Sequence, residues 1–439
     1  MEELRLRAKE ALSHRFPQDC PQSAARRTEE ELAWVEAADA AQTILLLADA
    51  AHFLRQSQAP FLLAGRYNAS YLLYLLDVTN VDPLVCGLAP EFLWTKMRKV
   101  RRMELHFPTG WYDALSRHLK RRYEDLVEHQ VLASEVPLKS QALEAGAQYV
   151  ARHPDEPELN GLLEDQHFLF CLGMGTSPKS LSRAHQLCLT PKTLQEKLPI
   201  LPGDDNQLPR SLLGSWRLGW TATLLCLDSP LLTALSAFQR RTGVPCCQVP
   251  LDDSQVYLAL TDCLTQGNGT EQRDEILTVC RIAGLHSPEI YDEILQWLEL
   301  SDLPSLSRII SLSHSAGLWE ATQPLLNQHA ICPVDVITCR EDVYRYLTSK
   351  GASKDWAGQF SELVRNGRFH LNRLTPEDAK NLDACGAEAW FRQICDRTYY
   401  FWPESHSAAH AVHLVHLIWY IIHFPDLTKP ILSDSFKDI

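Results

Sequence analysis

Apolar residues recur at helical spacing from Ala24 to Gln56, and the pattern stops at Ala59-Pro60, which predicts a long helical stretch closed by a turn. The short run Phe61-Leu62-Leu63-Ala64 then predicts a buried strand, Gly65-Arg66 a tight turn, and Ala69 to Leu76 a second helix. Asp82-Pro83 ends this strand–turn–helix unit. The alternation in Met103-Glu104-Leu105-His106-Phe107 predicts another strand. From about residue 125 to 200 the chain is polar and broken by prolines, as in His153-Pro154-Asp155-Glu156-Pro157, with one strand-like run from His167 to Leu172, so a loop-rich insertion is expected. Leu201-Pro202-Gly203-Asp204-Asp205-Asn206 marks a boundary, Trp220 to Leu227 predicts a strand, and the remainder has helical periodicity. No repeat at solenoid periods and no low-complexity tract interrupts it.

The composition suits an ordinary core-forming protein: 439 residues, 45% apolar and 22% charged. Disordered, collagen-like and disulfide-stapled classes are thereby excluded. The 13 cysteines run from Cys20 to Cys395 without a C-x-x-C pair and predict reduced thiols in a cytoplasmic protein. MEELRLRAKEAL has no apolar run of a signal peptide, and the longest apolar stretch, Ala411 to Phe424, is too short to span a bilayer and carries His413, His416 and His423. No membrane association is expected.

Charge sharpens the picture. Forty-two Lys and Arg against 55 Asp and Glu give a net charge of −13, a poor balance for wrapping a polyanion. The segment Lys96 to Arg122 reverses that sign locally, with nine basic residues against Glu104 and Asp113. A solvated helix face accounts for such a run as readily as phosphate contact does. His406, His410 and His413 stand at i, i+4 and i+7, yet no H-E-x-x-H pattern accompanies them, so no metal site is expected. Leu172-Gly173-Met174-Gly175-Thr176 lacks the third glycine or the Gly-Lys-Ser/Thr ending of a phosphate loop and reads as a turn. No G-x-S-x-G elbow is present.

Several segments, in order, do carry a family likeness. Thr79-Asn80-Val81-Asp82-Pro83-Leu84 is similar to I-T-x-V-[ND]-P-L, and Lys99-Val100-Arg101-Arg102-Met103-Glu104-Leu105-His106-Phe107 falls where K-V-P-D-I-D-L-N-F would stand. Ile310 to Trp319 resembles I-S-G-L-S-H-G-x-x-x-W, Cys339-Arg340-Glu341-Asp342-Val343 resembles C-R-D-D-I, and Val364-Arg365-Asn366-Gly367-Arg368 resembles V-R-K-G-K. Trp402-Pro403-Glu404-Ser405-His406-Ser407-Ala408-Ala409-His410 resembles F-P-K-A-H-A-A-A-Y. Together these resemble the core of the bacterial C-family replicative DNA polymerases, PolC type (the polymerase III alpha subunit), without the family's exonuclease, histidinol-phosphatase-like, zinc-binding, helix-hairpin-helix and clamp-binding regions.

The resemblance implies an α+β fold: a nucleotidyltransferase-like palm sheet (1–125 and 201–228), a thumb-like insertion (126–200) and a large, mostly α-helical fingers domain (229–439). It also implies a catalytic site at Arg102, Glu104 and Asp228, where the family's aspartates hold two Mg²⁺ ions. Arg102 stands at the first aspartate position, and a guanidinium there repels the ions the reaction requires. Nucleotide-binding positions fall at Gly65, Arg66, Ser70, Arg340, His406 and His410. The loop Gly65 to Ser70 is shorter and poorer in glycine than G-S-R-G-S-x-G-S-S, Glu404 replaces a lysine, and His410 replaces a tyrosine. DNA contacts are expected at Lys96, Lys99, Arg101, Arg117, Lys120, Arg121 and Arg122.

The expectation is therefore a pseudoenzyme: a catalytically silent core that binds DNA weakly and salt-sensitively, or contacts replication proteins, and needs no cofactor. The alternative is an active DNA-directed polymerase using Mg²⁺ in a rearranged site of Glu104, Asp228 and Asp113. A helical scaffold that shares only motifs is a third reading, and it fails if Glu104 and Asp228 lie on neighbouring strands of one sheet.

Overall fold

The computed structural model describes residues 1–88, 90, 93, 102–134, 147, 148, 150–152, 181–189, 210–212, 222–265, 272–283, 285, 288–315, 317–365 and 375–437. The strand-like run His167–Leu172, the glycine fragment Leu172–Thr176 and the boundary Leu201–Asn206 lie outside them, as do Lys96, Lys99 and Arg101. The architecture is mixed α+β and mostly helical. It divides into two compact units, Met1–Glu124 with Thr221–Ile439, and Asp125–Trp220.

In the first unit, α1 (Glu2–Arg15), α2 (Gln22–Ala37) and α3 (Ala41–Gln56) precede strand β1 (Leu62–Leu63), and a 3₁₀ turn Arg66–Ala69 leads into α4 (Tyr71–Leu75). Strand β2 (Arg102–Phe107) and α5 (Tyr112–Arg122) follow. The periodic stretch from Ala24 to Gln56 is thus two helices. The break is at Asp39, whose φ of 53° is left-handed. The Ala40 amide donates to the Val35 carbonyl at 3.0 Å and the Asp39 amide to that of Glu36 at 3.1 Å, closing α2 with a Schellman motif that period-counting cannot see. Gln58, Asp77 and His329, with φ of 55°, 55° and 53°, end their helices in the same way.

Strand β1 pairs antiparallel to β2, and β2 pairs parallel to β6 (Ala222–Asp228). A parallel pair cannot be joined by a hairpin and requires a crossover. The chain between β2 and β6 supplies it, with α5 and the whole second unit lying within that connection. The second unit contains β3 (Leu126–Ser134), antiparallel to β4 (Leu181–Leu189) and parallel to β5 (Arg210–Leu212).

After β6 the first unit is helical: α6 (Pro230–Thr242), α7 (Ser254–Leu264), α8 (Arg273–Ile282), α9 (Pro288–Leu295), α10 (Leu303–His314), α11 (Leu318–Asn327), α12 (Arg340–Ser349), α13 (Lys354–Arg365), α14 (Pro376–Ala384), α15 (Ala389–Arg397), α16 (Glu404–His423) and α17 (Pro425–Phe436). The apolar stretch beyond Ala411 belongs to α16, which packs against α6, α7, α8, α10 and α17 and is buried almost all round. A helix apolar on every side belongs in a core. Tyr420 fixes it there, stacking on Phe238 at 5.2 Å and donating its hydroxyl to the Val244 carbonyl at 2.5 Å. Among the described residues no helix is long and apolar enough to cross a membrane.

Candidate functional site

Strand alternation buries Met103, Leu105 and Phe107 on one face of β2 and leaves Glu104 and His106 half-buried on the other. The Glu104 carboxylate lies 2.7 Å from His106 Nε2. In a parallel ladder, residues in register share a face. Leu225 is in register with Glu104 and Leu227 with His106, whereas Asp228 is in register with Phe107 and is exposed at the strand end. Glu104 and Asp228 are therefore on neighbouring strands, but on opposite faces of the sheet. Arg102 begins β2 two residues before Glu104, in register with Thr223. One carboxylate flanked by leucines does not suit a pair of Mg²⁺ ions, which take oxygen ligands. Among the described residues, no group of three or more His, Cys, Asp or Glu is arranged to hold a metal ion.

The turn after β1 is braced from several directions. Gly65 has a φ of 83°, a conformation that favours glycine, and its amide donates to His406 Nδ1 at 2.9 Å. Ser405 donates its hydroxyl to the Arg66 carbonyl at 3.1 Å. Asn68 donates to the Leu63 carbonyl at 2.6 Å and accepts from the Thr79 hydroxyl at 2.7 Å, so the Thr79–Leu84 motif supports the turn directly. Ser70 caps α4, and its hydroxyl donates to the Glu31 carboxylate at 2.5 Å. Glu31, fully buried, also accepts from the Tyr71 amide at 2.9 Å, the Leu72 amide at 3.1 Å and Arg27 at 2.6 Å. The helix-terminal amides that would face a phosphate thus already hold a carboxylate of α2.

The arginines are engaged in the same way. Arg340 is 1% exposed, donates to Glu362 at 2.5 Å and pairs with Glu341. Arg66 lies 3.9 Å from the same Glu362 oxygen, and Arg365 lies 3.5 Å from its other oxygen. Burial works to raise the Glu362 pKa, but the charges of Arg340, Arg365 and Arg66 outweigh it and hold the carboxyl below its ordinary range. Glu404 meets Arg345 in a two-pronged pair at 2.6 and 3.2 Å, and its amide donates to Glu341 at 2.9 Å. Burial raises the Glu404 pKa against the pull of Arg345.

His406 and His410 meet edge to face with ring centroids 4.6 Å apart, and Trp402 lies 4.5 Å from His406, 5.5 Å from His410 and 4.5 Å from His314. Burial pushes His406 down to about 3 and His410 well below the ordinary imidazole value, with His106 adding to the effect on both. Further along α16, burial pushes His413 to about 4 and His416 to about 3. These rings are neutral at physiological pH. His410 thus offers a packed aromatic face, while His406 Nδ1 is an acceptor already used by Gly65.

Of the basic residues, Arg117, Lys120, Arg121 and Arg122 are exposed on α5. Arg122 reaches Asp49 at 2.6 Å and Glu3 at 3.0 Å, and Arg117 bonds the Asp113 carbonyl at 3.1 Å.

Sequence reasoning misses Glu31, Glu362, Arg345 and His106. Nothing local in the sequence tells that Glu31 is buried beneath a helix start forty residues away. Arg345 offered a signal: it follows the quoted motif Cys339–Val343 by two residues, Glu404 lies inside the motif from Trp402 to His410, and the two charges are opposite.

No family model matches the chain. Curated relatives carrying the description "DNA polymerase III PolC-type" include those of Caldanaerobacter subterraneus subsp. tengcongensis, 26% identical over 204 residues, and Halalkalibacterium halodurans, 27% identical over 205. The Bacillus subtilis protein is 26% identical over 201 residues. These matches cover 45–46% of this chain but only 13–14% of each relative's length. Slightly under half of the chain is therefore a region similar to PolC-type DNA polymerase III.

Proposed function

We propose that the chain is a catalytically silent relative of the PolC-type polymerase core that serves as a nucleic-acid- or replisome-binding module. In this reading β1, β2 and β6 are the palm (1–125 and 201–228), residues 126–200 a thumb-like insertion, and 229–439 the fingers. The observation that carries it is the pairing of Glu104 with His106 and its register with Leu225, beside the exposed, opposite-facing Asp228. Two-metal phosphoryl transfer needs carboxylates converging on one point, and Glu104 bonded to an imidazole, with Asp228 on the other face, supplies no such point among the described residues. The occupied donors support the same conclusion. Gly65 gives its amide to His406, Ser70 is held by Glu31, Arg340 and Arg66 by Glu362, and Glu404 is neutralised by Arg345.

Binding DNA is assigned to the exposed basic face of α5, together with Lys96, Lys99 and Arg101 of the preceding segment. With a net charge of −13 such binding is weak and salt-sensitive. A replication protein is the alternative partner on the same fold. Primer extension with Mg²⁺ or Mn²⁺ tests the silent reading: no template-dependent product is expected, and a product abolished by Glu104→Ala would overturn it.

A further inference from the structure

A cavity of about 760 Å³ opens in the helical part of the first unit, between α10, the connection 329–337, α12 and the start of α15. Its volume is that of a small-molecule site. One wall is a single face of α12, because Asp342, Arg345, Tyr346, Ser349 and Lys350 recur at helical spacing. The charges of that wall are spent within the protein. Arg345 is held by Asp342 at 2.9 Å and by Glu404 at 2.6 Å, and Lys350 by Glu388 at 3.1 Å. Tyr346 gives its hydroxyl to Glu388 at 3.0 Å, and its ring meets that of Trp390 edge to face at 5.2 Å, so an aromatic surface is what this wall offers.

The other side of the cavity differs. Arg308 of α10 donates to the Val336 carbonyl at 3.2 Å, which seats its guanidinium one residue along the chain from Asp335. Both side chains line the cavity, yet among the described residues neither takes part in an ion pair. Val334, next to Asp335, is 80% exposed. A guanidinium and a carboxylate on one wall that do not satisfy each other complement a molecule carrying both charges: the guanidinium fork matches a carboxylate, and the carboxylate takes an ammonium. The four carboxylates of the lining outnumber its three Lys and Arg side chains, which disfavours a phosphate-bearing occupant.

We propose that this cavity binds a free α-amino acid with a large apolar side chain, its carboxylate on Arg308, its ammonium on Asp335 and its side chain against Tyr346, Trp390 and Val334. The proposal goes beyond the silent-core reading. Of the residues on which that reading rests, only Glu404 and its partner Arg345 line the cavity, and they neutralise each other.

The test uses the full chain and L-phenylalanine, with binding read by calorimetry and by the thermal shift it produces. The wild type is expected to bind L-phenylalanine amide and N-acetyl-L-phenylalanine, each lacking one of the two charges, roughly tenfold or more weakly than L-phenylalanine itself. Arg308→Leu is expected to weaken L-phenylalanine by a similar factor while leaving the amide unchanged, and Asp335→Asn to do the same while leaving the N-acetyl compound unchanged. No heat and no thermal shift from L-phenylalanine at about 10 mM overturns the proposal. Equal affinity for the three compounds, or losses in the variants that do not follow the missing charge, overturn it as well. Should Arg308→Leu fail to fold, Asp335→Asn decides with the N-acetyl compound, because Asp335 is exposed. Primer extension of either outcome leaves this result untouched, so the two readings fail separately.

Discussion

The amide of Gly65 donates to Nδ1 of His406 at 2.9 Å, joining the turn after the first strand to the long core helix 341 residues away. The bond needs an unprotonated Nδ1. Burial supports that state, pushing His406 from 6.5 to about 3, and His410, His413 and His416 are depressed with it. The unfolded chain takes up protons at these four sites as pH falls through the ordinary imidazole value, while the folded chain does not. Stability is therefore fully present above about 6.5 and falls as pH drops from there towards 3. Melting temperature measured across that range is expected to decline from its upper end. His416→Leu, which replaces a ring whose Nδ1 is buried without a hydrogen-bond partner among the described residues, is expected to flatten the decline.

Glu31 is expected to be among the most sensitive positions for stability. Its carboxylate serves Ser70, Arg27 and two amides of α4, and Glu31→Ala would take this acceptor from all four donors at a buried site. Removing one partner of a buried charged network costs about 3–5 kcal/mol. Urea unfolding measures this directly, and Glu31→Gln, which keeps an acceptor oxygen, is expected to lose less.

Much of the fold is legible in the sequence, and the boundary of legibility is physical. The strand–turn–helix from Phe61 onward, the strand at Met103 to Phe107, the strand ending near Leu227 and the helical remainder all announce themselves through periodicity and breakers within a few residues. The split of α2 from α3 does not, because it depends on Asp39 adopting a left-handed conformation that glycine would have advertised. The candidate site is less legible still. Motifs locate Gly65, Arg66, Ser70, Arg340 and His406, but they are silent on Glu31 and Glu362, whose partners are distant in the chain. The face on which Asp228 lies is a matter of register, and one residue of shift reverses it.

Gln58 offers a change in the stabilising direction. It sits at a φ of 55° at the end of α3, with the Ala59 amide donating to Leu54 at 2.8 Å. A left-handed residue with a β-carbon costs about 1–2 kcal/mol, which glycine relieves in part at the expense of a freer unfolded chain. Gln58→Gly is expected to stabilise the fold by roughly 0.5–1 kcal/mol, which for a chain of 439 residues raises the melting temperature in calorimetry by only about 1 °C.

For α5, Arg117 and Arg121 stand one helical turn apart on the exposed face. The Arg117→Ala/Arg121→Ala pair is expected to weaken DNA binding about equally for unrelated sequences and to lower the slope of log affinity against log salt by about 2. Fluorescence anisotropy over a salt series checks both. Arg122→Ala is expected to affect stability more than binding, because its guanidinium is spent on Asp49 and Glu3.

The central claim is that the core cannot assemble two metal ions around a primer end, because Glu104 has His106 as partner and Leu225 as neighbour while Asp228 lies on the other face of the sheet. The most direct measurement is incorporation of labelled deoxynucleotide on a primed template by the full chain, with Mg²⁺ and then Mn²⁺, beside Glu104→Ala. The account predicts no template-dependent incorporation above that of the variant under either metal. Incorporation that follows the template and disappears in Glu104→Ala would contradict it.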